Sequence, residues 1–508
     1  MRGLRGLRQR GARRVQIGRR VGRRLPRAGG GRARAAAARV RCLPCGRDHG
    51  VGRDRPPDRP RESRPKRPVV TGLRLVIPRD PWPRLGSERA TRVAVATIYT
   101  LVLLVALAEG ARSLARADRL DYSYYPKLGE VVLSGGDPYA NAFNTWPPFF
   151  LLVAAGLALG SRVSAVGTVF AWQLASVLAV WGTLKLLARS FEDGGSALTF
   201  WPRSPDRLAF VSSGVVVPFI FTARLFDDNL QHGQINAMLL FLSLLAFVLF
   251  REHRLIAGGC ALALAASLKA VPVLLLGYLA YKRRWRELGW TVAFLVLLNL
   301  VIPIAIFGPG DVAAQWRAWR AVAAAEMVQP VAHHPNQALL SALKRLLTVQ
   351  GGATNPIDYA VAAWPTTAVV RLFWLVAALA GLGLAFAFRG SSRDLRDPRC
   401  AGEFAVCLGA MTLVSPLAWA AHFVTLVAPA ALVWAALRRL PRGAPGRWWR
   451  WGLWWASFGC ITLSASGFVG WAWSRRLESL SVITLGAVLL VSLALSLLPT
   501  LKPAPDSA

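Results

Sequence analysis

Seven side chains stand out from an otherwise apolar chain because their types suit the transfer of a chemical group. Asp121 lies in the aromatic segment 119–125, and a carboxylate there is suited to taking a proton as a general base. The other six can hydrogen-bond a phosphate or sugar hydroxyls, and they are Lys269, His334, His422, Gln234, Asn336 and Gln337. The arrangement predicts proton abstraction at one residue and anion or sugar binding at the others.

Each of these residues also has a structural interpretation. A loop aspartate such as Asp121 is often solvated or paired with a neighbour such as Arg119. Adjacent histidines cannot easily face one ion, which favours a structural or ligand-contacting loop at His333-His334 over a metal site. Asn336, Gln337 and His422 can cap or pack against a helix, and Lys269 either snorkels to the membrane interface or holds a phosphate.

The elements that must position these side chains are membrane helices. Hydrophobic residues make up 54% of the 508 residues and charged residues only 17%, against about 25% in soluble domains. This composition excludes an ordinary cytosolic enzyme and a disordered scaffold, and six Cys exclude a disulfide-dense secreted module. Runs near the length of a membrane-crossing helix, about 20 residues, cover 93–110, 164–187, 208–223, 235–250, 288–307, 366–388, 418–437, 452–472 and 480–499.

Three further stretches need separate interpretation. The run 401–437 is too long for one span and breaks at Ser415-Pro416, so it predicts a helical hairpin. The run 255–281 is interrupted between Lys269 and Pro272, which predicts two short helices meeting at a bend. The run 148–160 is short and begins at a proline pair, so we expect it to lie on the membrane.

The distribution of basic residues predicts which loops are cytoplasmic. With the N-terminus inside, the cytoplasmic loops between residues 188 and 450 hold 18 Lys and Arg in 54 residues, and the outer segments hold 11 in 119. This gives an all-α polytopic protein of about twelve spanning or half-spanning helices with both termini cytoplasmic. It also places all of the polar clusters except Lys269 in outer loops, as expected of a site at that surface.

The N-terminal 92 residues differ from the rest. They hold 28 Lys and Arg against 6 Asp and Glu, a net of +22 out of +36 for the chain. Such a Gly-, Pro- and Arg-rich stretch cannot bury enough apolar surface to fold, so residues 1–92 are predicted to be a disordered cytoplasmic head or an over-extended start. We expect no role for it in catalysis and no nucleic-acid partner. The membrane domain is predicted at 93–500, with a short tail at 501–508.

Several segments together resemble a known family. Asp121 with Tyr124-Tyr125, the turn at 135–139 and Trp146-Pro-Pro-Phe149 are similar to the signature of the bacterial polyprenyl-phosphate-mannose-dependent mannosyltransferases of glycosyltransferase family 87. The similarity continues through the 233–236 and 257–286 blocks, Asn336-Gln337 and the motif at 415–422, and covers about residues 93–500.

This resemblance implies a fold and an activity. Such enzymes have the glycosyltransferase C (GT-C) fold and act at the extracytoplasmic face of the plasma membrane. They transfer mannose, with inversion, from a polyprenyl-phosphate donor to a lipid or glycan acceptor. The resemblance makes Asp121 the base, and His422, His334 and Lys269 are candidates for stabilising the departing phosphate. The departing phosphate is already a good leaving group, so a protein acid is not required, and no metal or cofactor is expected.

The chain departs from the family pattern at three positions, and alternative functions remain open. Trp146 stands where the family has tyrosine, and Ala418 and Ala421 stand where it has serine and histidine. The change at Trp146 is mild, whereas the two alanines bear on acceptor specificity and on activity itself. Another lipid-linked sugar such as arabinose would suit the same fold. A flippase or transporter of lipid-linked sugars shares the hydropathy but needs no outer-loop base.

Overall fold

The computed structural model describes residues 121–140, 144–191, 213–329, 332–350 and 355–501, with scattered helical positions between 97 and 115. The basic head at 1–92 lies outside the described residues, as does the C-terminal tail beyond residue 501. The first expected span, 93–110, is described only at some of its positions.

In these ranges the chain forms helices and no β-strand. The helices are α1 Asp121–Leu133, α2 Pro148–Phe191, α3 Ser213–Gln231, α4 Asn236–Arg251, α5 Leu255–Leu268, α6 Leu274–Tyr281, α7 Trp285–Val296, α8 Ile302–Phe307, α9 Pro309–Val328, α10 Leu339–Leu347, α11 Thr366–Phe388, α12 Pro398–Val414, α13 Val427–Arg439, α14 Arg447–Phe458, α15 Ser466–Val469, α16 Trp471–Ser479 and α17 Val482–Leu497. A π-type turn joins α7 to α8, and 3-10 turns precede α6 and α13.

Five of the described helices are long and apolar enough to cross a membrane. They cover Pro148–Phe191, Trp285–Phe307, Thr366–Phe388, Ala420–Arg439 and Val482–Thr500. Three shorter apolar helices cover Asn236–Arg251, Leu255–Leu268 and Val271–Tyr281. These helices agree with the all-α membrane protein that the composition predicts.

Both expected helix interruptions are confirmed. α5 ends at Leu268, Lys269 has extended backbone, and a 3-10 turn at Val271–Val273 leads into α6. α12 ends at Val414, and a non-helical segment separates it from the 3-10 turn at Ala420–Leu426. Ser415 directly precedes Pro416, which restricts it to extended backbone and stops α12. At the other break the extended residue is Lys269, and Pro272 lies within the 3-10 turn that follows.

Two expected boundaries were wrong. The apolar run 208–223 was predicted to end before an outer segment, but its helix α3 continues to Gln231, and the chain turns only at Gly233, where φ is +63°. The run 452–472 was predicted to be one span, but its helix ends near Leu463 and the two short helices α15 and α16 follow. Gly470, at φ +79°, separates those two helices because glycine adopts this conformation without steric cost.

The long helix α2 contains a break that matches a predicted boundary. Ser164 has extended dihedral angles, φ −158° and ψ 105°, inside Pro148–Phe191. The run 148–160, predicted to lie on the membrane, is therefore the first arm of α2, and the run predicted to cross begins at the break.

The core forms around α13, which is buried on nearly all sides. Most of its apolar residues from Val427 to Leu437 are almost inaccessible, and many of them are alanine, which lets neighbouring helices approach closely. In contrast, α11 buries only Val369, Phe373 and Phe388 and exposes large apolar side chains along its length. A helix with this exposure suits contact with lipid.

An aromatic cluster fixes α1, the helix that begins at Asp121. The Tyr125 ring packs edge-on against Trp146 at 5.1 Å, Phe150 at 5.1 Å and Trp172 at 5.4 Å. At Gly129, an added Cβ would lie 2.0 Å from the carbonyl oxygen of Ala154, so α1 lies directly against α2. The aromatic residues of the sequence motif thus set the position of α1, whose first residue is the candidate base.

A buried ion pair joins the α6–α7 connection to α12. Lys282 Nζ lies 2.6 Å from Glu403 Oε2, and both side chains are almost wholly inaccessible. Tyr278 donates a second hydrogen bond to the same carboxylate at 3.3 Å. Such a pair contributes little over an apolar contact, but removing one partner leaves an unpaired buried charge.

We therefore expect Glu403→Ala to destabilise the protein by about 3–5 kcal/mol, seen as a large fall in the midpoint of thermal unfolding in detergent. Glu130→Ala is the matched control because it breaks the solvent-exposed pair with Arg162, and its midpoint should barely change. An unchanged midpoint for Glu403→Ala would contradict this account, and the double change Lys282→Met, Glu403→Met should recover stability.

Candidate functional site

A chain of hydrogen bonds begins at Asp121, the first residue of α1. Gln234 Nε2 donates to Asp121 Oδ2, and Asn236 Nδ2 donates to Gln234 Oε1 at 2.6 Å. Both amide side chains are about 95% buried, whereas Asp121 is partly exposed. The buried amides therefore hold the carboxylate in place and leave part of it accessible.

The chain continues from Asn236 to the two interrupted helices. Lys269 Nζ donates to Asn236 Oδ1 at 3.0 Å and lies 2.5 Å from His422 Nε2. Lys269 and His422 are both half-buried. Five residues drawn from separate parts of the fold thus form one continuous chain, which we call the Asp121–His422 relay.

The donors and acceptors in this relay determine where its protons lie. The Trp419 backbone N–H donates to His422 Nδ1 at 3.1 Å, so the ring carries its proton on Nε2. Nε2 of this ring faces Lys269 Nζ. Every donor from His422 onward points along the relay toward the carboxylate of Asp121.

The turn between α3 and α4 positions the relay's amides. Its backbone bonds include Gln234 N to Asn229 O at 2.9 Å and Tyr122 N to His232 O at 3.2 Å, the latter tying the turn to α1. Trp172 Nε1 donates to the Gly233 carbonyl at 2.8 Å. The turn therefore fixes Gln234 beside the start of α1.

Gly233 offers a test of this positioning. It has φ +63°, and an added Cβ would lie 2.7 Å from Tyr122 Cβ, so Gly233→Ala combines about 1–2 kcal/mol of backbone strain with a displacement of α1. We expect turnover to fall by about 10- to 100-fold, because small misplacements of reacting groups are costly.

The measurement is sugar transfer by purified protein, normalised to the folded fraction. Gly156→Ala is the control, because the space around Gly156 is open. Equal turnover of the two variants would show that the turn does not position Asp121.

Burial favours Asp121 as a base, and the positive charge of His232 opposes that effect in part. Burial raises the pKa of Asp121 above its usual range, and the hydrogen bond from Gln234 opposes that rise only in part. The hydrogen bond to Asp228 raises the pKa of His232 to about 9, so His232 carries a positive charge near Asp121 at neutral pH. A carboxylate with a raised pKa takes a proton more readily than an ordinary aspartate.

The loop His333–Gln337 holds the segment that carries His422. Asn336 Oδ1 accepts from Ala418 N at 3.1 Å, and Gln337 N donates to Ala418 O at 2.7 Å. Gln337 Nε2 donates to the backbone of His334 and Glu478, at 2.6 and 2.8 Å. Both amides therefore bond to backbone groups.

His334 belongs to a separate charged cluster. Its Nδ1 lies 3.2 Å from Glu478 Oε2, and Glu478 also pairs with Arg224 at 2.6 Å. Arg475 Nε donates to His334 Nε2 at 3.1 Å. Burial lowers the pKa of His334, and the hydrogen bond with Glu478 opposes this. Both ring nitrogens of His334 thus have protein partners.

A small cavity of about 20 Å³ lies at the far end of the relay. Lys269 and His422 line it, together with Asn236, Ser415 and Thr412. Polar groups from α4, the α5–α6 bend and the 415–422 segment therefore meet at one point. No group of three or more His, Cys, Asp or Glu side chains in the described ranges is arranged to hold a metal ion.

The structure brings together four of the seven predicted residues and adds one that was missed. Asp121, Gln234, Lys269 and His422 are members of the relay, and the remaining three belong to the supporting loop. Asn236 was not predicted as a site residue, although it lies in the block at 233–236 that carried the family resemblance. Two amides separated by one residue next to a turn were the available signal.

Comparison with known families assigns this chain to one of them. The sequence model of glycosyltransferase family 87 matches residues 144–416, more than half of the chain. The chain belongs to glycosyltransferase family 87. No curated protein and no solved structure matches it.

For this family-87 protein, the match covers the centre of the relay. Gln234, Asn236 and Lys269 lie within the matched residues, while Asp121 and His422 lie outside them. The family supports a transferase that uses a sugar donor and an acceptor, and the apolar helices support a membrane protein. Both ends of the relay are therefore assigned from the structure and the sequence motifs.

Proposed function

We propose that this protein is an inverting mannosyltransferase that takes mannose from polyprenyl-phosphate mannose and adds it to a lipid or glycan acceptor. The reaction takes place at the extracytoplasmic face of the plasma membrane. The single observation that carries the proposal is the Asp121–His422 relay, which joins a carboxylate base to an amine and an imidazole N–H. The sugar and its lipid carrier follow from the sequence resemblance.

In the proposed step, Asp121 removes the proton from the acceptor hydroxyl as its oxygen attacks C1 of the sugar. The bond from C1 to the phosphate oxygen breaks, and its electron pair stays on the departing polyprenyl phosphate. That phosphate gains one negative charge, which needs nearby hydrogen-bond donors. His422 and Lys269 supply them.

The buried amides Gln234 and Asn236 keep base and phosphate site at a fixed separation. Asn336 and Gln337 hold the 415–422 segment through Ala418, and His334 and Gln337 tie their loop to Glu478 of α16. Preorganised donors of this kind stabilise a developing charge without reorganisation during the reaction.

The test is transfer by the purified protein in liposomes supplied with a membrane glycolipid extract. Radiolabelled mannose should move to the extract from polyprenyl-phosphate mannose, and not from a nucleotide-linked mannose. Faster transfer from polyprenyl-phosphate arabinose would replace the sugar in the proposal. Movement of the lipid-linked sugar across the bilayer with no transfer would replace the enzyme by a flippase.

A further inference from the structure

An open groove of about 530 Å³ runs along α9, outside the relay. Its walls are the apolar Trp319, Met327 and three alanines of α9, with Pro416 opposite and the side chains of Arg317 and Arg320 at its edge. The volume is within the range of small-molecule sites, roughly 300–1,000 Å³.

The two arginines give the groove its chemistry. Arg317 and Arg320 are three residues apart on α9, so they project from the same side of the helix. Both are exposed, and neither forms an ion pair or hydrogen bond with a described residue. None of the lining residues is acidic. Two unpaired guanidinium groups beside an apolar wall suit an amphiphile with an anionic head, since guanidinium groups bind phosphate in bidentate geometry.

The groove borders the candidate site on two sides. Pro416 lines the groove, and the preceding Ser415 lines the cavity that holds Lys269 and His422. On the other side, Trp319 Nε1 donates to the Thr145 carbonyl at 3.0 Å, directly before the Trp146 ring that packs on α1. The groove therefore borders segments that adjoin both ends of the relay.

We propose that this groove binds the acceptor and that Arg317 and Arg320 bind a phosphate group of that acceptor. The inference rests on the proposed function, in which Lys269 and His422 take the phosphate of the donor. Transfer requires both substrates at once, so a second anion site next to the first suits the second substrate. The apolar wall of α9 then contacts the acceptor's lipid stem.

The binding test uses decyl phosphate as the probe and the full-length protein in detergent. Thermal stabilisation at increasing probe concentration gives the affinity. The double change Arg317→Gln, Arg320→Gln should weaken binding by about tenfold or more, as expected for losing charge-assisted hydrogen bonds. Arg371→Gln, Arg476→Gln is the control, because it removes the same two charges from exposed positions outside the groove and should bind as the parent does.

Two outcomes would overturn the proposal. One is parent-like affinity of the Arg317→Gln, Arg320→Gln protein for decyl phosphate, with Lys269→Met abolishing the binding instead. The other is weaker binding of polyprenyl-phosphate mannose to the double-arginine variant, which would assign the arginines to the donor. Unchanged donor affinity together with weakened probe binding supports the acceptor assignment.

The binding test remains decisive if the proposed function fails. Absence of sugar transfer by the parent protein would reject the transferase proposal without changing its affinity for decyl phosphate. Loss of probe affinity on removing Arg317 and Arg320 would still establish an anion site in the groove, and its retention would still reject one.

Discussion

Asp121→Asn is expected to lower the rate of sugar transfer by about 10²- to 10⁴-fold, the usual contribution of a general base. Asparagine has nearly the same shape and can still accept the hydrogen bond from Gln234, so the relay should persist. The affinity for polyprenyl-phosphate mannose should therefore stay within a few-fold of the parent. The measurement is single-turnover transfer with donor binding determined separately.

The matched control for this variant is Asp137→Asn. Asp137 lies beyond the same helix, but its carboxylate accepts from the Tyr139 backbone N–H at 2.8 Å and serves a turn. Its change should leave transfer nearly normal. Near-normal turnover by Asp121→Asn would reject the base assignment. Loss of donor binding in that variant would indicate a binding role for the carboxylate instead.

His422→Ala is expected to weaken donor binding by about 10- to 100-fold and to slow transfer as well. The physical reason is the loss of one N–H that bonds an anion, worth roughly 1.5–3 kcal/mol, together with loss of the group that orients Lys269. The protein should remain folded in detergent, because His422 is half-buried and its Nδ1 bonds only to the local Trp419 backbone.

His334→Ala separates this role from packing. His334 bridges Glu478 and Arg475, so its loss should lower the midpoint of thermal unfolding while donor affinity in the folded protein stays near normal. The opposite pattern, with stability lost in His422→Ala and affinity lost in His334→Ala, would exchange the two assignments. If His422→Ala binds the donor as tightly as the parent protein does, His422 is not part of the phosphate site.

Much of the candidate site was predictable because its signals are local. An apolar run of sufficient length forms a helix wherever it lies, and α11 spans the expected 366–388. Proline restricts the backbone of the residue before it, so the end of α12 at Val414 could be read from Ser415-Pro416, and Pro272 marked the 3-10 turn that follows α5. A carboxylate among aromatic residues likewise marked Asp121 before any fold was known.

The helix ends that were predicted wrongly show where local signals compete. Residues 227–231 are polar, as in a turn, but they keep helical backbone. The chain reverses only at Gly233, which adopts the positive φ that the turn requires. Within 452–472, hydrophobicity predicted one span, yet the turn after Leu463 and the positive φ of Gly470 divide it. In both cases backbone geometry at a few residues outweighed the average polarity of the segment.

What only the tertiary structure decided is which polar groups meet. Gln234 bonds to a carboxylate 113 positions away, and Lys269 meets an imidazole 153 positions away. The sequence does not show which group an amide or imidazole will hydrogen-bond, so Asn336 and Gln337 were as suitable for binding phosphate as Gln234. The packing of α1 on α2 places Gln234 in the relay. The packing of the 415–422 segment on the His333–Gln337 loop makes Asn336 and Gln337 supporting residues. The sequence determined the chemical groups and the breaks that expose them, and their pairing follows from helix packing because each hydrogen bond depends on the position of two distant backbones at once.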